Sequence, residues 1–469
     1  MSRFMPFDAN QPMLLPVDLR EALPADHPAL LIGDLVERLD LSEVFSALPE
    51  DEVGGRPGFD PRMMVRVWLY AYASGVRSSR KLAQALVESV PFRVLANNQQ
   101  PRYWALNHFR TRHREALGNL LTQSVRLAAG VGLVKLGSVA IDGSKIKANA
   151  SKHKAMSFAR LKREDARLDE EIAAFLDACD EQDALEDEAF GPDGDGMSLP
   201  EGLRDAKARK RKIEEALAEL ERRARDRQAG EQQQRRERAE RKGKAYHPRK
   251  DAEDAEPREQ DQINFTDPES RIMLGGDGGV LQGFNAQLAV DADSHIVLAA
   301  SLSNRSPDAP HLREITQQTL ANAGRAPKRF LADAGYYSEG NVALIESLGC
   351  EALIPPDKIH HAAWRRQRAP RGRIPKNLSR KDRMRRRLAT QEGKRLYVAR
   401  QGSVEPVFGA TKHARGLRQF LHRGLAKNHA LFRFDMAAHN ILKIIKRLAP
   451  PPPSPNGQRA RRRNAPAAA

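Results

Sequence analysis

Apolar and polar positions follow a helical period through the first 130 residues. Between Asp60 and Val76, the side chains Met64, Val67, Trp68 and Ala71 share one face, with Asp60 as N-cap and Pro61 in the first turn. A shorter helix is predicted over 30–39. Ser74-Gly75-Val76 predicts a turn, and Ser78 or Ser79 starts a second long helix through Leu82, Ala85, Leu86 and Ser89. A third amphipathic piece, 104–117, turns Phe109 inward and Arg110, Arg112, His113 and Arg114 outward. Helix, turn, helix and a basic helix suit a DNA-binding domain, and an ordinary bundle with a basic face fits equally well.

Strand patterns follow. Residues 136–146 are β-branched and buried in character, yet include Asp142. A charge there is costly unless it is paired or binds a cation. A strand-end Asp bonding nearby backbone is the equal alternative. Over 283–303 apolar and polar residues alternate around a turn at 291–294, which predicts a β-hairpin with Asp291 and Asp293 as turn formers. An amphipathic helix at 310–323 leads to the short apolar run Phe330-Leu331-Ala332, which stops on Asp333. Gly335 breaks the strand, and Ser338 can cap a helix over 340–348. A last short strand is expected at 352–354.

Between these strands lies a stretch of another kind, 151–257. Leu168, Ile172, Phe175, Leu176 and Cys179 form one helical stripe; Ile213, Leu217 and Leu220 form another. The loop 191–196 joins them, with Asp193 and Asp195 as solvated turn residues. This predicts a charged helical hairpin inserted into a larger domain, frayed or disordered over 228–250.

Charge narrows the partner. The 469 residues carry 78 Lys+Arg against 61 Asp+Glu, a net +17, and the pI is near 10.0. Such a balance suggests a polyanion, nucleic acid or an anionic membrane surface. The excess clusters over 358–400 and again in the Pro-rich tail, 450–469, expected to be disordered. Two cysteines, Cys179 and Cys350, exclude a disulfide framework and fit a reducing compartment. The chain shows no long apolar run and no signal-peptide pattern over 1–40, so a soluble intracellular protein is expected. Near the end, Ser403 can cap a helix with Pro406 in its first turn, placing Glu405, Phe408, Gly409 and Lys412 on one face.

Asp142 thus stands on the first strand, Asp333 at the end of a later one and Glu405 on a late helix of an α/β layer. Three converging carboxylates can hold two divalent cations about 3.5–4 Å apart, as nucleases and polymerases do. Four stretches, Ala140-Ile-Asp-Gly-Ser-Lys-Ile146, Gly283-Phe-Asn-Ala-Gln-Leu-Ala-Val-Asp291, Ala332-Asp-Ala-Gly-Tyr-Tyr-Ser-Glu339 and Val404-Glu-Pro-Val-Phe-Gly409, make the chain resemble bacterial insertion-sequence transposases of the DDE type. It is most similar to the IS-four superfamily with an InsH-type helical N-terminal domain.

The resemblance implies an α/β fold: a ribonuclease-H-like catalytic core over 131–150 and 258–449, a helical DNA-binding domain over 1–130, and the helical insertion over 151–257. It implies Asp142, Asp333 and Glu405 as catalytic, metal-binding acids for Mg²⁺ or Mn²⁺. Tyr397, Arg400 and Lys412 complete the signature around the third acid and, with Arg110 and Arg114, are expected to bind DNA. In one departure, Arg400 and Glu405 enclose four residues where the superfamily has three. The implied activity is cleavage at element ends and strand transfer into target DNA, by a homodimer on terminal inverted repeats in the bacterial cytoplasm, near the nucleoid. A domesticated protein that binds DNA without cutting it is the alternative.

Overall fold

In the computed structural model, the residues described are 18–46, 58–151, 154–190, 201–240, 243–247, 251, 253–275, 278–359, 364, 366–375 and 377–448. The loop at 191–196, the tail at 450–469 and the side chains of Phe175, Leu176 and Cys179 lie outside them. The chain forms two compact units, Met1–Ile146 with Asn285–Ala469, and Lys147–Phe284. Among the described residues no helix is long and apolar enough to cross a membrane.

The first unit begins with helices α1 (Pro28–Val36), α2 (Ser42–Ser46), α3 (Pro61–Ala73), α4 (Ser79–Glu88), α5 (Val90–Leu95), α6 (Tyr103–Arg112) and α7 (Arg114–Gly130). Asp60 caps α3 as expected, accepting from the amides of Arg62 and Met63. The expected single helix at 104–117 is instead two, broken at His113. Arg110 and His113 also face inward, against expectation. The Arg110 guanidinium lies 4.1 Å over the Trp68 ring and donates to the Arg77 carbonyl at 2.7 Å. A planar cation stacked on an aromatic face, with both terminal nitrogens hydrogen-bonded, can be buried, and that is why Arg110 is no surface residue. Arg114 stays partly exposed beside Glu115.

Strand β1 (Val139–Lys147) then leads into the second unit. There β2 (Ala155–Ser157) precedes two long helices, α8 (Phe158–Phe190) and α9 (Glu201–Glu240), and β3 (Gln262–Asn264) returns to pair antiparallel with β2. Phe158, Leu161, Leu168, Ala206, Ile213, Ala216, Leu220 and Ile263 form its own core. The inserted hairpin is thus present. Its second helix runs on through Glu240 where fraying was expected, because ion pairs four residues apart, Arg235 with Glu231 and Arg236 with Glu240, line its polar end. Strand β4 (Arg271–Leu274) pairs with the first residues of β5 (Val280–Asp291).

Back in the first unit, β5 forms the expected hairpin with β6 (Val297–Ser303), followed by α10 (Leu312–Ala323), β7 (Arg329–Leu331), α11 (Glu339–Ser347) and β8 (Glu351–Leu353). Asp291 organises the hairpin turn: one carboxylate oxygen accepts from the amides of Asp293 and Ser294, the other from those of Lys135 and Leu136. Within this unit the sheet reads β6-β5-β1-β7-β8. The β5–β6 pairing is antiparallel, and β1–β7 and β7–β8 are parallel. The third-second-first-fourth-fifth order, antiparallel on one side and parallel on the other, is the ribonuclease-H-like arrangement.

The chain closes with α12 (Arg380–Ala389), α13 (Gln391–Gly409), a short π-helical stretch (Ala410–Ala414) and α14 (Leu425–Leu448). Ser403 is not the cap expected of it but sits inside α13, its hydroxyl donating to the Ala399 carbonyl. Pro406 likewise lies inside the helix. Proline has no amide to offer the carbonyl four residues back. That carbonyl, Gly402, is within 2.9 Å of the His295 Nε2 instead.

Helix α14 packs along α7 and against β6, so the helices of 1–130 and the sheet share one core. Gly118 lets the two helices touch; a Cβ there would come within 3.0 Å of the Ala430 carbonyl. Asn440 donates to and accepts from the backbone of Val297 on β6. The preceding residue, His439, is also buried, with its Nε2 3.0 Å from the His295 carbonyl and its Nδ1 3.3 Å from the Arg415 guanidinium. This fixes a neutral ring that donates through Nε2 and accepts through Nδ1. Burial, with Arg415 beside it, pushes its pKa down to about 3.

A depressed folded pKa contributes stability that is complete above the unfolded value, near 6.5, and is lost as pH falls toward 3. Urea unfolding at pH 5 should therefore show about 2 kcal/mol less stability from this ring than at pH 7. In His439→Gln that share of the pH dependence should vanish. An unchanged pH dependence in the variant would contradict the buried neutral ring.

Candidate active site

Strands β1 and β7 run parallel, with Val139 opposite Phe330 and Ala140 opposite Leu331. Carried two residues further, this register brings Asp142 level with Asp333. Asp142 lies inside β1, and Asp333 stands just past the end of β7. Asp142 accepts from the Gly143 amide at 2.9 Å, and Asp333 accepts from the Gly335 amide at 2.9 Å, starting a 3-10 turn over Ala334–Tyr336. Ser338 then caps α11 as expected, accepting from the Asn341 amide.

One cation serves both carboxylates. Arg400, on α13, donates to the second oxygen of Asp142 at 2.9 Å and acts electrostatically on Asp333. It is held from behind by the Tyr397 ring, 5.6 Å from its centre, and Tyr397 in turn sets its ring edge-on to Trp364. Tyr397 is buried, so its ring supports Arg400 rather than forming an exposed surface. Burial is the main influence on both acids. It pushes Asp142 up to about 6 against the pull of Arg400, with the neighbouring Asp333 adding to the rise. Asp333 is raised by burial as well, again opposed by Arg400 and reinforced by Asp308.

Lys412 approaches from the π-helical stretch, donating to the Ser144 hydroxyl and, at 3.0 Å, to the Lys145 carbonyl, two and three residues beyond Asp142. The structure therefore gathers Asp142, Asp333 and Arg400, and brings Lys412 to the same strand. It does not gather Glu405, which is exposed on α13. Among the described residues no three of His, Cys, Asp and Glu are placed to hold a metal ion together. Arg110 is in the helical core and Arg114 beside Glu115, as described above.

Sequence reasoning passed over a second layer. Lys145 pairs with Asp308 at 3.0 Å, and Asn285, Gln287 and Tyr336 are completely buried beneath them. Asn285 and Gln287 were visible as polar residues in an otherwise apolar strand. Asp308, in a loop, gave no such signal.

Two family matches cover the chain on either side of the insertion. Residues 17–112 match the family described as Transposase domain (DUF772), and residues 275–441 match the Transposase DDE domain. No curated protein and no solved structure shows a significant match to the chain. The second match takes in Asp333, Arg400, Glu405 and Lys412, and the sheet supplies Asp142 from outside it. With both matches and this strand order, the chain is an insertion-sequence transposase of the DDE type, a DNA-cleaving and strand-transferring enzyme.

Proposed function

We propose that the chain cuts DNA at the ends of its element and joins the freed ends to target DNA with Asp142, Asp333 and Glu405 as its metal-binding acids. The pairing of Asp142 with Asp333 across parallel strands carries this reading. The donors are carboxylate oxygens without His or Cys, which suits Mg²⁺, an ion that often takes one or two carboxylates and completes its shell with substrate phosphates and water. Such ions, when bound, activate the attacking oxygen and stabilise the leaving one.

The chain's own residues do the rest. Asp142 and Asp333 concentrate negative charge in a partly buried site, where it is worth more than in water. Arg400 neutralises part of that charge while no DNA is bound. It is the group best placed to turn to an incoming phosphate, since a guanidinium matches phosphate and carboxylate alike. Lys412 supplies a second cation beside β1. Glu405, exposed on the same helix as Arg400, completes the acids when the helix engages DNA. A homodimer on paired terminal inverted repeats is the proposed assembly.

Phosphate contacts should make DNA binding steeply salt-dependent. Arg380, Arg385 and Arg387 on α12 already pair with Glu346, Asp357 and Glu351, which lowers their share. Six or more remaining contacts would weaken binding by about 10³-fold between roughly 50 and 200 mM salt. Fluorescence anisotropy with end DNA measures this directly, and a flat response would count against the proposed interface.

A further inference from the structure

The two acid-bearing segments rest on one polar network, buried at Asn285, Gln287 and Tyr336, and its centre is the partly exposed Asp308. Asp308 precedes a 3-10 turn over Ala309–His311, but its side chain does not cap that turn. It faces the sheet instead. Its Oδ1 accepts from Lys145 Nζ at 3.0 Å, Asn285 Nδ2 at 2.8 Å and Gln287 Nε2 at 2.9 Å. Gln287 also donates to Asn285 Oδ1 at 3.0 Å and accepts from the Tyr336 hydroxyl. Lys145 lies three residues beyond Asp142, and Tyr336 three beyond Asp333. The network thus links the two strands just past their acids.

Close packing brings it nearer still. A Cβ on Gly143, the neighbour of Asp142, would lie 2.9 Å from Asp308 Oδ1 and closer yet to the Gln287 amide. A Cβ on Gly335 would lie 3.0 Å from Asp333 Oδ1 and 3.6 Å from Asp308 Oδ2. Asp308 therefore packs against the glycines that follow both acids, and leaves neither segment room to shift toward it. An apolar filling would tolerate small displacements. A hydrogen-bonded polar network does not, because a displaced donor or acceptor is left without its partner away from water.

We propose that Asp308 is a positioning residue: through Lys145 on one side and Gln287 and Tyr336 on the other, it sets the separation of Asp142 and Asp333. This rests on the metal-binding reading of those two acids. It assigns to Asp308 the acceptor oxygen of the network, not a place beside the reacting atoms.

The test uses the purified full chain and Mn²⁺, whose binding is followed by electron paramagnetic resonance, together with end-DNA affinity and thermal melting. Asp308→Ala should weaken Mn²⁺ binding by about 10-fold or more, the size of effect typical of groups that orient ligands. End-DNA affinity should be unchanged, and the turnover for end cleavage should fall with it. Asp308→Asn keeps an oxygen for the three donors and should recover most of the Mn²⁺ affinity. If Asp308→Ala does not fold, Tyr336→Phe, which removes a donor at the other end, should weaken Mn²⁺ in the same direction.

Wild-type Mn²⁺ affinity in Asp308→Ala, or in Tyr336→Phe where that variant stands in, overturns the proposal. So does an Asp308→Asn as weak as Asp308→Ala, which would make the charge itself the contribution. Asp333→Asn separates the two readings: if it weakens Mn²⁺ and Asp308→Ala does not, the positioning role alone fails. If Asp333→Asn leaves Mn²⁺ affinity intact, the metal reading fails.

Discussion

Asp333→Asn is expected to cut strand cleavage severely and to leave DNA binding in place. The amide keeps the shape of the side chain and can still accept from the Gly335 amide, so the turn that follows β7 should persist. What is lost is charge. Asp333 and Asp142 share the guanidinium of Arg400, and on the proposed metal-binding reading a divalent ion would need the anionic oxygens of both. Cleavage of labelled end DNA in Mg²⁺ should fall by at least ~100-fold, more than the usual loss of a merely orienting group. Gel-shift affinity should hold or tighten slightly, because phosphate is bound by Arg and Lys elsewhere and one repelling charge has gone. Asp293→Asn, exposed in the hairpin turn, is the matched control. Asp291 would be a poor one, since its buried carboxylate holds the turn and the approach to β1 together. Undiminished cleavage by Asp333→Asn would refute the acid pair and favour a protein that acts by binding alone.

The second large effect is on stability. Asp435 on α14 is completely buried and meets Arg77 at 2.6 Å and Arg415 at 3.9 Å. Arg77 in turn donates to the Arg415 carbonyl at 2.8 Å, and Arg110 donates to the Arg77 carbonyl. Asp435→Asn would leave two guanidinium groups facing each other in the interior without their counter-ion. Removing one partner of a buried ion pair costs about 3–5 kcal/mol. Urea unfolding should show a loss of that size, whereas Glu405→Gln, exposed on α13, should leave the midpoint where it is. A shift of under about 1 kcal/mol in Asp435→Asn would mean that the cluster is solvated like a surface pair.

The parts of the fold legible in the sequence are those written in local chemistry. Asp60 and Pro61 announce α3; Ser338 announces α11; the alternation from Phe284 to Val290 announces β5. Asp142 and Asp333 stood out because acids are rare in apolar strands and at their ends. The misreadings share another cause. Arg110 seemed an outward charge because nothing near it in the chain shows that Trp68 and the Arg77 carbonyl will receive it. Pro406 seemed to mark a helix start because the histidine that meets the orphaned carbonyl of Gly402 lies more than a hundred residues away. Asp308 is invisible for the same reason: its three donors come from β1 and β5. Long-range partners decide these positions, and a single sequence does not name them.

The pairing of Val139 with Phe330 also has a consequence in time. A ribosome adding about 5–20 residues per second needs roughly 10–40 s to travel from one strand to the other. Until then β1 has no β7 beside it, and Arg400 arrives later still. The helices of 1–130 and their basic side chains are synthesised well before the acids can meet. A chain that stops short of β7 would carry Asp142 with no strand beside it to bring the second acid level.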